Sequence, residues 1–160
     1  MEELKKIFEE EIKIYQEILK ISKDKTDTIK ENKVKELEAI TRSEEELVAK
    51  VIELEKKRIA KVKDICKQYG KPEESLKVDE LCEFIEDGKE ELQAFKSEIT
   101  QILKELKKVN NLNDALIKNS LEYINFAVSL ATGKQQNSMI YEQKGRNNTQ
   151  GQRNILDIKL

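Results

Sequence analysis

The chain has 160 residues, room for one ordinary domain, with 39% charged and 38% hydrophobic residues and a net charge of −2. Globular domains average ~25% charged and ~45–50% apolar residues, so a round apolar core is excluded and an elongated helical body is favoured. One proline, five glycines, no tryptophan and no histidine exclude sandwiches and barrels, and remove the commonest proton shuttle and metal ligand.

The first apolar stripe runs Leu4, Ile7, Phe8, Ile12, Ile14, Tyr15, Ile18, Leu19 and Ile21, mostly in steps of three and four, and predicts a helix over about residues 2 to 22. The polar run Ser22-Lys23-Asp24-Lys25-Thr26-Asp27 offers side-chain bonds to the backbone and is expected to end it in a turn. A second stripe, Ile29, Val34, Leu37, Ile40, Leu47, Val51, Leu54, Val62, Ile65 and Tyr69, holds nearly one heptad frame and predicts a long helix stopped by Gly70 and Pro72. Glu44 and Arg58 occupy seam positions two heptads apart, too far to pair with each other, and must answer to other helices as register-setting contacts.

Between Ser75 and Asp87 the pattern suggests a short connecting helix, closed near Gly88. The heptad resumes at Leu92 and runs through Phe95, Ile99, Ile102, Leu106 and Val109, then past Asn113 to about Ala131. Residues 132 to 160 are rich in Asn, Gln, Gly and Lys, around an apolar island of Met139, Ile140 and Tyr141 and an apolar end, Ile155 to Leu160. Such a composition predicts a mobile tail. It carries five positive and two negative charges, which leaves the body acidic and argues against a nucleic-acid groove. The expected fold is all-α: an elongated antiparallel bundle of three main helices plus a short connecting helix over residues 1–131, with a flexible C-terminal tail over 132–160.

The two cysteines, Cys66 and Cys82, are too far apart for a C-x-x-C pair and read as buried small hydrophobes. The start lacks a signal-peptide pattern, and no run approaches the ~18 apolar residues of a membrane span, so a cytoplasmic address is expected. Without histidine, the Glu-x-x-His pairs of a carboxylate-bridged di-metal site cannot form; no phosphate loop or nucleophile elbow appears either. No enzyme, metal or cofactor is expected.

The region Leu112 to Ala131 departs from a plain bundle, with twelve apolar residues of 20 and only Asp114, Lys118 and Glu122 charged. Leu112, Leu116, Tyr123 and Leu130 continue the heptad seam, while Ile117, Leu121, Ile124 and Val128 form a neighbouring row that is expected to be spare and exposed. Exposed rows of this kind mark binding sites. Two alternatives stay open at this point: the last helix is central and fully covered, or a homodimer buries the row against its copy.

In Asn110-x-x-Asn113-x-x-Leu116-Ile117-x-x-Ser120-Leu121-x-x-Ile124, followed by Tyr141-x-x-x-Gly145, the sequence resembles the C-terminal signature of the FlgN-type flagellar export chaperones. Tyr15, Leu19, Leu37, Ile40, Glu44, Leu54-Glu55 and Arg58 are similar to that family's first two helices. The resemblance implies a chaperone without cofactors that binds the C-terminal helical segments of hook-associated proteins one and three, the hook-filament junction proteins. It would prevent their premature assembly and deliver them to the export gate. The spare row then places the client on Ile117, Leu121, Ile124 and Val128, with Leu116 and Ser120 at the margin and Asn113 and Asn119 as polar guides. The resemblance also assigns Tyr141 to contact with the cytosolic domain of the export-gate protein. A structural or adaptor coiled coil that homodimerises and has no export client is the alternative.

Overall fold

A computed structural model describes residues 1–71 and 77–132. They form four helices, α1 (Glu2–Lys30), α2 (Val34–Gln68), α3 (Val78–Leu81) and α4 (Lys89–Ala131), and no strand. The all-α reading is borne out. The expected tail, with Tyr141, lies outside the described residues.

The path is up, down, up. Arg58 pairs with Glu11 and Lys61 with Glu3, so α2 runs antiparallel to α1. Lys5 meets Glu91 and Lys23 meets Glu105, so α4 returns parallel to α1. The central element is α1: its backbone lies close to both α2 and α4, whereas α2 and α4 approach each other at most marginally. The core is one contiguous cluster, in which Leu4, Phe8 and Tyr15 of α1 meet Leu47, Val51 and Ile65 of α2 and Leu92, Ile99 and Leu106 of α4.

The first helix does not stop near Ser22; it continues two turns further, to Lys30. The polar run that reads as a turn is helical because its hydroxyls find partners. Thr28 Oγ1 donates to the Asp24 carbonyl at 3.0 Å, and Ser22 Oγ donates to Glu44 Oε1 of α2 at 2.9 Å. Ser22, Thr26 and Thr28 are all buried, so this part of α1 packs through polar contacts that an apolar stripe does not reveal. The helix then ends abruptly. Asn32 takes φ 55°, its N–H donates to the Ile29 carbonyl at 3.1 Å, and that of Lys33 donates to the Thr28 carbonyl at 3.1 Å. This is a left-handed cap with Asn in the place usually taken by Gly. Gly70, at φ 63°, closes α2 in the same way, as its sequence position suggests.

At the opposite end α3 and the turn after it cover the tip of α2. Tyr69 packs on Phe84 with ring centroids 5.5 Å apart, and Val78, Leu81, Cys82 and Ile85 are buried. Both cysteines are buried and neither forms a disulfide. Burial pushes the Cys82 thiol above its ordinary range. Gly88 opens α4 at φ 78°, where an added Cβ would meet Lys5 Cε at 2.8 Å.

Both seam polar residues answer to α1. Arg58 Nε donates to the buried Glu11 at 3.1 Å, and its guanidinium sits 5.6 Å from the Phe8 ring centroid. Burial raises the Glu11 carboxyl above its usual 4.5, and Arg58 opposes but does not cancel that shift. Glu44 accepts from Ser22 and from Lys25 Nζ at 2.6 Å.

Removing one partner of a buried pair costs ~3–5 kcal/mol, because the other charge is left uncompensated. Arg58→Met is therefore expected to destabilise the chain by about that much, and Arg58→Met with Glu11→Leu by less than Arg58→Met alone. Because the folded-state pKa of Glu11 is raised, its ionisation costs stability above that value, and acidification toward the ordinary 4.5 relieves the cost. The Arg58→Met deficit should accordingly shrink between neutral pH and about pH 4.5, as urea melts at both pH values would show.

Candidate functional site

The three long helices have unequal lengths: 29 residues for α1, 35 for α2 and 43 for α4. At ~1.5 Å per residue, α4 is about 20 Å longer than α1. The two begin together, since Lys5 pairs with Glu91, and they are still level where Thr26 meets Asn113. One turn later α1 ends, about level with Ile117. The remaining stretch, residues 118–131, projects ~21 Å beyond the α1–α2 turn with no described element beside it.

Asn113 is the last fully buried position of α4. Its side-chain amide donates to the Ser22 carbonyl at 2.9 Å, and its Oδ1 accepts from the Thr26 hydroxyl at 2.6 Å. From sequence Asn113 is expected to act as a polar guide for a partner. The structure corrects this: the residue is 3% exposed and both ends of its amide are bonded to α1. Among the described residues no buried side-chain polar atom lacks a partner, so the polar layer is complete.

Beyond that layer the apolar residues emerge. Leu116, Ile117 and Ser120 are half-buried, while Leu121, Ile124 and Val128 are 55%, 53% and 54% exposed. Asn119 is exposed, and so are Tyr123, Phe126 and Leu130. The hydroxyls of this segment turn inward on the helix itself: Ser129 Oγ donates to the Phe126 carbonyl at 2.7 Å and Thr132 Oγ1 to that of Val128 at 2.8 Å. The surface offered to solvent is mainly apolar.

The expected internal seam of Leu112, Leu116, Tyr123 and Leu130 is not internal. Leu112 is 48% exposed although it lies level with the bundle. A strict seven-residue repeat drifts ~20° per heptad on a straight helix, whereas eleven residues come close to three full turns. Eleven-residue steps carry the buried Leu106 to Ile117 and Val128, and Asn113 to Ile124. The buried Leu92, Ile99, Leu106 and Asn113 also stand at seven-residue intervals, so the continuation of the packed face runs between Ser120 on one side and Ile117 and Ile124 on the other. Its exposure arises because α1 stops.

With this geometry in hand, the comparisons with known proteins are decisive. The sequence matches the profile of the FlgN protein family over residues 1–149. The chain belongs to the FlgN family, the flagellar export chaperones. It is also similar to the uncharacterized protein YvyG of Bacillus subtilis (strain 168), at 27% identity over 124 residues that cover 78% of this chain and 76% of that protein. No solved structure matches. The FlgN family is one of chaperones rather than enzymes, and no described helix is long and apolar enough to cross a membrane.

The burial contrast separates two asparagines of the family-like signature. Asn113→Ala is expected to lower stability by ~1–3 kcal/mol, because it removes the buried bonds to Thr26 and Ser22. Asn119→Ala, at an exposed position, should stay within ~0.5 kcal/mol of the parent. Urea midpoints of the two variants provide the check.

Proposed function

We propose that the chain holds the C-terminal helical segments of hook-associated proteins one and three in the cytoplasm, keeps them from assembling early and delivers them to the export gate. The observation that carries this reading is the unpartnered apolar end of α4, centred on Ile117, Leu121, Ile124 and Val128, with Leu116, Ser120 and Asn119 beside it. A client segment built for polymer contacts presents an amphipathic helix that needs a temporary apolar partner before assembly. Helix-on-helix docking supplies one.

The energetics suit temporary holding. Full burial of an aliphatic side chain contributes ~1.5–3 kcal/mol, and the exposed residues here are already about half buried, so each adds on the order of 1 kcal/mol. Ordering the client helix offsets ~2–5 kcal/mol of that gain. The net contribution of these side chains is therefore only a few kcal/mol, which favours a releasable complex over a permanent one. Contact with the cytosolic domain of the gate protein is assigned to Tyr141, which lies outside the described residues; Tyr141→Ala should weaken that contact and leave client binding intact.

The test is Leu121→Asp, Ile124→Asp and Val128→Asp combined, assayed with a fluorescent peptide carrying the C-terminal helical segment of hook-associated protein three. Binding should fall at least tenfold while the melting temperature shifts by no more than a few degrees, since these side chains are more than half exposed and have no partner among the described residues. Undiminished binding would contradict the reading, and a collapsed melt would show that these residues belong to a core.

A further inference from the structure

We propose that the partner helix seats end-on to α1, occupying on α4 the track that α1 vacates at Lys30, with its near end against the α1–α2 turn. This rests on the reading just given and adds to it a position, an axis and a length for the client. The track continues an interface the chain already makes. Asn113 points at α1, since both its bonds go there, and Ile124, eleven residues on, points the same way. Leu106 is buried in the bundle, and Ile117 and Val128 lie on its line at eleven-residue intervals. The surface that α4 presents to α1 therefore keeps its direction past the end of α1, and beyond the polar layer at Asn113 it is apolar.

The end of the hairpin is blunt. The left-handed Asn32 turns the chain within three residues, and α2 starts at Val34, which is 65% exposed. Neither helix rises over residues 118–131. The opposite side of that segment carries its charged residues. Glu122, nine residues after Asn113, lies half a turn away from the track, with Lys118 and Asn125 on one side of it and Asn119 and Phe126 on the other. The fitting occupant is an amphipathic helix of about four turns, ~14 residues, with an apolar stripe at steps of three and four and an end that abuts the turn at Glu31 to Val34.

Filling the track from within the chain tests this. Roughly fourteen residues are added to each arm of the hairpin, between Lys30 and Val34, with leucines where the extended α1 faces Ile117, Ile124 and Val128. The extended full-length chain should melt higher than the parent and bind the hook-associated protein three peptide at least tenfold more weakly. Equal binding by a folded extended chain overturns the seating while leaving client binding itself standing. Absence of binding by the unmodified chain removes both.

A second measurement does not depend on the extension folding. A photo-reactive benzoylphenylalanine replaces Glu31, Ile124 or Glu122 in turn. Cross-linking from positions 31 and 124, with position 31 reaching only one end of the peptide, supports the seating. Cross-linking chiefly from position 122 overturns it. An unmodified chain that is a dimer by light scattering and becomes monomeric with Ile124→Asp would assign the track to a second copy, which also overturns the proposal.

Discussion

The structure depends on a mismatch of length. Three helices share one core, but they do not stop together: α1 and α2 turn at Asn32 while α4 runs on for about four turns. A helix that ends with its neighbours buries its apolar stripe inside the molecule. A helix that outruns them carries the same stripe into water, and that surface costs free energy until something covers it.

Polar contacts fix where the mismatch falls. Apolar heptads alone allow neighbouring helices to slide by a turn at modest cost, and a slide of one turn would move the exposed segment by ~5.4 Å. The buried Arg58–Glu11 pair and the Glu44 contacts with Ser22 and Lys25 hold α2 against α1. Asn113, bonded to Thr26 and to the Ser22 carbonyl, holds α4 against α1 at the last turn where they touch. These groups are costly to bury singly and tolerable only in register, so they act as pins. The pins lie along α1 because α1 is the helix that both others pack upon.

Much of this is legible in the sequence. Charge-rich composition and heptad spacing reveal long helices, Gly70 and Gly88 mark ends, and the seam positions of Glu44 and Arg58 betray polar contacts between helices. The apolar excess after Leu112 locates the exposed end of α4. Two readings fail for the same physical reason. Ser22 to Asp27 has the composition of a turn, and Asn113 that of a surface amide, yet both are buried where helices meet through hydrogen bonds. Hydrophobic periodicity records apolar burial only, so a polar interface leaves no trace in it. The seam reading also fails at Leu112, which is 48% exposed level with the bundle, although Leu92, Ile99, Leu106 and Asn113 keep the heptad and are buried. The chain order of helices does not announce which is central; the partners of Arg58, Glu44 and Asn113 reveal it.

Among the described residues, 118–131 have no partner. Native-state amide hydrogen exchange on the free monomer, followed residue by residue along α4, tests it most directly. Amides in residues 92–113 should be protected to near the global stability, and protection should drop by orders of magnitude past about residue 118, returning when a client peptide is added. Uniform strong protection from residue 92 through 131 in the free monomer would mean that the end of α4 is covered by its own chain, and the account would be wrong.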